Sequence, residues 1–510
     1  MKNTSRCLIL FIVLFFYSTL RSNAQTENPK REFRGVWIAT VANIDWPSKT
    51  VRDAQQQKQD LIAILDQHQK QGINAVMFQI RPAADALYAK SEEPWSQWLT
   101  GVQGQKPQPF YDPLEFAIAE CHKRGMELHA WFNPYRATFD ATSAIHESHI
   151  TKKKPSWFFS YGGKKLFNPG IPEVREYITK VILNVVENYD IDGVHFDDYF
   201  YPYAIKGQVI NDAAAFAKYN PNNLSLADWR RYNVDELIKM VADSIKNHKE
   251  YVKFGISPFG IWQNKRQSLE GSETSGGDSF HGLYADSRKW VKEGWIDYIN
   301  PQIYWSFASA PAPYAKLVDW WSENAYGKHL YIGHGAYRIN DARDYAWRDP
   351  RQIPDQIEYN RKNPRVQGSI YFSSKSLTTN KLGVADSLSN HYYKYPALPP
   401  VMLWIDSIAP YNPQNLLALQ TDKSVLLSWK QPLPSKDHQK VYGFVVYRFK
   451  EDEDIDLDKA EAIRNIYYSN ITSWEDLDVV KGETYKYVIT AIDRMKNESE
   501  YSIPVVITIK

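Results

Sequence analysis

Between Phe33 and Tyr392 the chain alternates eight times between a short apolar run and a helical pattern. The first four runs are Arg34–Val41 (RGVWIATV), Asn74–Arg81 (NAVMFQIR), Glu127–Phe132 (ELHAWF) and the start of Ile191–Pro202 (IDGVHFDDYFYP). The last four are Lys253–Ser257 (KFGIS), Ile296–Tyr304 (IDYINPQIY), His329–Gly333 (HLYIG) and Gly368–Ser373 (GSIYFS). Leu61, Ile62 and Leu65 fall at helical spacing within Asp53–Gln71, and Gly72 closes that helix. Pro113 sits in the first turn of the next helix, where a missing N–H costs nothing. Further helices are predicted over 172–188, 226–249, 284–293, 314–324, 354–362 and near 381–392. Strict strand–helix alternation requires a parallel sheet with helices outside it. Eight such units predict an α/β fold, a closed (β/α)8 TIM barrel with enlarged loops. The alternative is an open doubly wound sheet, but no G-x-G-x-x-G turn follows the first strand.

The pattern breaks at Pro396-Ala-Leu-Pro-Pro400, which sets the barrel at 31–395 and a linker at 396–407. From 408 to 510 the chain reads as short strands: LLALQ, SVLLSW, YGFVVYRF, TYKYVITAID and PVVITI. Their spacing predicts an all-β, immunoglobulin-like sandwich. Pro413, Trp429, Tyr442, Tyr447, Gly482, Tyr485 and Tyr487, with the ending ITAID…NESEYS, resemble a fibronectin type III domain. No cluster of polar residues stands out there, so a spacer, or a module docking protein or glycan, is expected.

Residues 1–24 read as a signal peptide. Lys2 and Arg6 precede the apolar run Cys7–Leu20, and Ser22-Asn23-Ala24 offers a small-x-small cleavage site. The run is short for a membrane span, so no integral membrane segment is expected after cleavage. An exported protein is implied, whether periplasmic, envelope-bound or extracellular. Removing Lys2, Arg6 and Arg21 takes Lys plus Arg from 61 to 58 against 59 acidic residues, a net charge of −1. That balance argues against a nucleic-acid partner. One cysteine remains, Cys121, and the helical pattern of 113–124 turns it to the core.

The chemistry of such a barrel lies where its strands end and its loops begin. The fourth run ends in adjacent acids, Asp197 and Asp198, between His195 and an aromatic cluster. Other strand ends bring Arg81 and Asp85, Asn133 and Arg136, Trp262, Tyr304 and Trp305, and Tyr371, with Tyr199 beside the acidic pair. Carboxylates, amides, Arg and aromatic faces together suit a hydroxyl-rich ligand. Long loops after the second, third and fifth strands carry Trp95, Trp98, Trp157, Phe158, Tyr161 and Trp262, which would wall a cleft or anchor the loops. Glycoside hydrolysis usually needs two separated carboxylates. Here Asp297 comes early on its strand and should face the opposite end, leaving Asp85 and Glu273 as distant partners. An adjacent pair has its own mechanism if the sugar carries a 2-acetamido group whose carbonyl oxygen is the nucleophile. Asp198 would then be the general acid and Asp197 the acetamido partner, or the reverse. His129 and His195 suit a hydrogen-bonded core better than a metal site, and no cofactor is expected. Arg81 and Arg136 could hold a carboxylate or pair with Asp85 or the acidic pair.

The stretches EFRGVWIATVANIDWPS, INAVMFQIRPAADALY, GMELHAWFNPYR, DGVHFDDYFYP, FGISPFGIW and DYINPQIYW resemble the bacterial glycosyl-hydrolase-like 10 family. The resemblance spans about Glu32 to Tyr371 and implies a (β/α)8 glycosidase that is secreted or envelope-associated. Some members act on peptidoglycan glycan strands. It marks Arg81, Asp85, Asn133, Arg136, Asp197, Asp198 and Tyr304 as motif positions. One departure is Asn168 in Phe167-Asn-Pro-Gly170, where relatives often carry Asp. The sequence therefore predicts a hydrolase of an N-acetylated glycan, with peptidoglycan foremost. The alternatives are a non-catalytic carbohydrate-binding barrel and a glycosidase for non-acetylated polysaccharide.

Overall fold

The computed structural model describes residues 28–510 apart from residue 221, so the signal peptide expected at 1–24 lies outside the described residues. Eight parallel strands close into a barrel in sequence order: β1 (Phe33–Ile38), β2 (Ala75–Arg81), β3 (Glu127–Phe132), β4 (Gly193–Phe196), β5 (Lys253–Ile256), β6 (Tyr298–Ile299), β7 (His329–His334) and β8 (Gly368–Tyr371). The barrel shuts where Phe33 of β1 pairs with Gly368 of β8. The principal outer helices are α1 (Ala54–Lys70), α2 (Pro113–Lys123), α3 (Pro172–Asn188), α4 (Leu226–His248), α5 (Ser287–Lys292), α6 (Tyr314–Glu323) and α7 (Gln352–Lys362). The eighth helix, expected as one piece, is broken into short turns between Ser374 and Tyr392. β6 is shorter than the nine-residue run suggested, because pairing lapses at Asn300-Pro301 and resumes only as a bridge at Gln302. Among the described residues no helix is long and apolar enough to cross a membrane.

Strand side chains alternate between two apolar layers. Val36, Ile38, Val76, Phe78, Leu128, Val194, Phe254 and Tyr371 point outward and pack beneath the helices. Phe33, Trp37, Met77, Trp131, Tyr298, Tyr331 and Ile370 point inward and fill the barrel. Large inward rings need small neighbours. A Cβ on Gly193 would stand 2.5 Å from His129, and one on Gly255 would stand 2.0 Å from Tyr298.

A line of hydrogen bonds runs down the barrel axis. The Trp37 indole donates to His195 Nε2 at 3.0 Å, and His195 Nδ1 meets the Tyr298 hydroxyl at 3.0 Å. That hydroxyl meets His129 Nδ1 at 2.8 Å, and His129 Nε2 meets Glu127 at 3.1 Å. An indole can only donate, so every direction follows: His195 carries its proton on Nδ1, Tyr298 donates to His129, and His129 donates to Glu127. Burial holds both imidazoles below their usual range, so both are neutral.

The line ends in a buried charge cluster at the strands' N-terminal ends. Glu127 takes Lys253 at 2.5 Å and Lys496 at 3.0 Å, and all three side chains are almost wholly buried. Lys496 belongs to the C-terminal region, which forms a three-stranded sheet (Gln414–Gln420, Val425–Lys430, Ser473–Asp476) and a four-stranded one (Ile463–Tyr467, Gly443–Lys450, Thr484–Ile492, Val505–Thr508). The sequence had signalled five of these strands. It missed 463–467 and 473–476, whose polar residues obscure the alternation. The C-terminal region is no loose spacer. Tyr442 donates to Asp192 at 2.8 Å, Arg494 pairs with Asp190, and Met495 enters the apolar layer inside the barrel. The stretch 396–407 is likewise no free linker, since Leu398 and Met402 are wholly buried and Leu398 exchanges backbone hydrogen bonds with residues 30 and 32.

Candidate active site

At the opposite mouth a cleft of about 480 Å³ opens over the C-terminal strand ends. β4 ends at Phe196, and the chain turns with Asp197 and Asp198 as its first two residues. Asp197 continues the inward parity of Gly193 and His195, so its carboxylate lands on the barrel axis. Trp131 Nε1 donates to its Oδ2 at 3.2 Å, the Asn133 amide donates to the same oxygen, and the Tyr199 backbone N–H reaches Oδ1 at 3.3 Å. Asp198 accepts from the Tyr203 hydroxyl and from the Gln302 amide. Burial pushes Asp197 up to about 7, with the charge of Asp198 adding to it and Arg136 opposing. Burial also raises Asp198. Both carboxyls therefore hold a proton more tightly than a free aspartic acid does.

Asp197 and Asp198 are the only carboxylates lining the cleft among the described residues. Aromatic faces surround them: Trp37, Trp131, Tyr199, Tyr203, Phe259, Tyr304, Trp305, Tyr337 and Phe372, with Gln79, Gln302, Arg136 and Arg338 as polar groups. Arg136 also lies over the Tyr199 ring at 4.7 Å.

Of the residues predicted from sequence, Asp197, Asp198, Arg136, Tyr199, Tyr304 and Trp305 line the cleft. Asn133 stands behind Asp197, taking a 2.6 Å bond from Gln79 while it donates to the carboxylate. The others need correction. Arg81 is consumed by a bidentate pair with Glu93 at 2.7 and 2.6 Å and a bond to the Asn133 carbonyl, leaving its guanidinium buried under the loop after β2. Its partner is Glu93, not Asp85 or the acidic pair. Asp85 is buried and bound to the Ala83 N–H, outside the cleft. Glu273 lies on the surface, paired with Lys265 and Lys316. His195 is one layer below the floor. Trp262 stacks on Trp320 and donates to Asp286, anchoring its loop. Tyr371 has the outward parity and bonds to Tyr393, so its neighbour Phe372 lines the cleft instead. Asp297 faces the other end as expected, holding Lys246 at 3.0 Å. Trp95, Trp98 and Trp157 do not reach the cleft either.

Trp37, Tyr203 and Phe372 were missed by the strand-end reasoning. Trp37 could have been found by counting inward parity from Phe33. Tyr203 had no such signal, because only the folded loop brings it to Asp198.

A metal has no obvious seat. Among the described residues no three His, Cys, Asp or Glu side chains gather as a ligand set. Both nitrogens of His129 and His195 are already engaged.

Residues 32–349 match the family described as Glycosyl hydrolase-like 10. Glycosyl hydrolase YngK of Bacillus subtilis is 44% identical over 98% of this chain and 99% of its own length. Glycosyl hydrolase DigH of Escherichia coli K12 is 38% identical over 68% of this chain and 84% of its own. Among solved structures, the PgaB (BpsB) glycoside hydrolase domain from Bordetella bronchiseptica aligns with a TM-score of 0.46 and 11% identity, covering 71% of this chain and 98% of that one. With the barrel and its paired acids in place, the family match and the two glycosyl hydrolase relatives lead to one conclusion: the chain belongs to the glycosyl hydrolase-like 10 family and is a glycoside hydrolase.

Proposed function

We propose that the chain is an exported hydrolase of an N-acetylated glycan, with peptidoglycan glycan strands as substrate, working by substrate assistance. One observation carries this. The two cleft carboxylates are neighbours, and no third lines the opposite wall among the described residues. Retaining and inverting mechanisms both need a second carboxyl across the scissile bond, about 5–5.5 or 6.5–9.5 Å away. Asp85 and Glu273, the candidates for it in the sequence, face elsewhere. A 2-acetamido oxygen on the substrate can take that place.

The two acids divide the work by their partners. Asp197 is held by three N–H donors, which partly offset the burial that raises it, and its Oδ1 has only a long bond. That oxygen can accept the acetamido N–H and turn the acetamido carbonyl oxygen towards the anomeric carbon. Asp198 faces a hydroxyl, which can donate to a carboxylate or accept from a carboxylic acid. Asp198 can therefore pass its proton to the leaving oxygen without losing its partner, then take a proton from the incoming water. We read the C-terminal sheets as a fibronectin type III-like sandwich whose role is to brace the barrel from below.

The test is Asp198→Asn on purified peptidoglycan strands stripped of stem peptides, read as reducing ends released. General acids contribute about 10²–10⁴-fold, so a loss in that range is expected. An undiminished rate would mean that Asp198 is not the acid. De-N-acetylated strands should fail as wild-type substrate, and their normal cleavage would exclude substrate assistance.

A further inference from the structure

The first turn of α3 holds a buried cation that has no counter-charge. Arg175 is 8% exposed. Its Nη1 donates to the Pro169 carbonyl at 2.8 Å and to the Asn233 side-chain oxygen at 2.7 Å. Both acceptors are neutral, and among the described residues no carboxylate pairs with this guanidinium. Its Nε–H is buried and has no hydrogen-bond partner there. The setting aggravates this. A helix start carries partial positive charge of its own, and no side chain caps α3. A buried charge left without its counter-ion is strongly unfavourable.

Two more groups share the same condition. The Tyr135 and Tyr201 side chains are wholly buried, and neither hydroxyl has a hydrogen-bond partner among the described residues. Buried polar groups in folded proteins are nearly always satisfied, so an unpartnered one calls for an explanation. The three groups are electrostatic neighbours. Burial raises the Tyr135 phenol and the Arg175 charge opposes it, while burial, then Asp212, then Tyr135 raise the Tyr201 phenol. The backbone joins the same place together, for the Tyr135 carbonyl accepts the Phe167 N–H at 2.9 Å, two residues before Pro169. Both phenols stay protonated and can donate. Asp212 does not answer Arg175, because both its oxygens hold Arg230 at 2.8 Å.

We propose that Tyr135, Tyr201 and Arg175 form a binding site for a small monovalent anion, chloride foremost, which supplies the counter-charge of Arg175. A monatomic anion accepts donors from any direction, so two phenol O–H groups and one guanidinium N–H suit it. An ordered water is the rival occupant. It would satisfy the hydroxyls but leave the guanidinium charge unanswered. The place of the site gives the anion a role. Tyr135 lies between Asn133 and Arg136 in the loop after β3, and Tyr201 lies between Asp198 and Tyr203 in the loop after β4. The anion ties both loops to α3 from behind, whatever glycan the cleft takes.

The test is thermal melting of the full chain in sodium chloride and in sodium gluconate of equal ionic strength, joined to anomalous scattering from crystals grown in sodium bromide. An ion that binds only the folded chain raises its melting temperature. Wild type should melt at least about 2 °C higher in chloride. Bromide should give an anomalous peak within hydrogen-bonding reach of both hydroxyls and Arg175 Nε. The double variant Tyr135→Phe, Tyr201→Phe removes two hydroxyls that bond to no protein group, so it should fold, and it should lose most of the chloride-dependent rise. Arg175→Gln should lose that rise as well. If the double variant does not fold, each single Tyr→Phe variant should show a smaller rise than wild type. Equal wild-type melting temperatures in the two salts, a water without anomalous signal at the site, or a chloride rise undiminished in these variants would each overturn the proposal.

Discussion

Glu127→Gln probes the buried cluster on which the barrel and the C-terminal sheets meet. Glu127 is the shared anion of Lys253 at 2.5 Å and Lys496 at 3.0 Å, and it accepts from His129 at 3.1 Å. The neighbouring Asp192 is engaged by His122 at 2.8 Å and by Tyr442. An amide of the same shape keeps the packing but leaves one ammonium without a counter-charge. Removing one member of a buried ion pair costs about 3–5 kcal/mol. A second route gives the same figure. An unpaired lysine can shed its proton, at about 1.4 kcal/mol for each unit below its reference pKa of about 10.4, or roughly 4.6 kcal/mol at pH 7. We therefore expect a loss of about 3–5 kcal/mol in urea unfolding followed by tryptophan fluorescence. The pH dependence supplies a second signature. A lysine whose folded pKa is depressed destabilises the fold while the solvent keeps its unfolded form charged. The deficit should shrink by up to about 1.4 kcal/mol per unit as pH rises from the variant's depressed pKa towards 10. A loss under about 1 kcal/mol at pH 7, or a deficit flat between pH 7 and 9.5, would refute the idea that Glu127 supplies this cluster's counter-charge.

Asp197→Asn should raise stability at pH 8 by a few kcal/mol but not at pH 4. A carboxyl whose folded pKa is raised from 3.8 to about 7 adds a penalty that accumulates across that interval; equal stabilities at pH 8 in thermal melts would argue against it. Activity should fall on the alkaline side as the Asp198 acid ionises, giving a descending limb above the ordinary carboxylate range, and a limb-free profile to pH 9 would contradict a raised acid. Tyr203→Phe removes a hydrogen bond that lowers the Asp198 pKa, so that limb should move to higher pH by up to about one unit, read from kcat against pH. Arg81→Met should cost about 3–5 kcal/mol by stranding Glu93 while leaving KM for glycan strands within about twofold; a large KM change with intact stability would return Arg81 to the cleft.

The sequence by itself determined the barrel. Eight periodic strand–helix units are a local signal, and each run carries its own alternation. The same locality placed Asp197 and Asp198 at a strand end, turned Asp297 to the other mouth, and buried Cys121 in α2. What failed was pairing across the chain. Arg81 looked available until Glu93, twelve positions on, folded back upon it. Tyr371 and Phe372 are neighbours of equal promise in the sequence, and strand parity alone sent one to the helices and the other to the cleft. Tyr203 reaches Asp198 only because the loop after β4 curls over its own strand. The C-terminal region looked like a spacer because Lys496 is an ordinary lysine until it meets Glu127 of the barrel beneath the rings of its own region's Tyr442 and Tyr468. Periodicity is written within about a turn of helix or a few residues of strand, so a chain can be read for its elements. Which charge meets which, and which face of a loop sees the cleft, depends on contacts between segments far apart in sequence, and only the tertiary structure decided them.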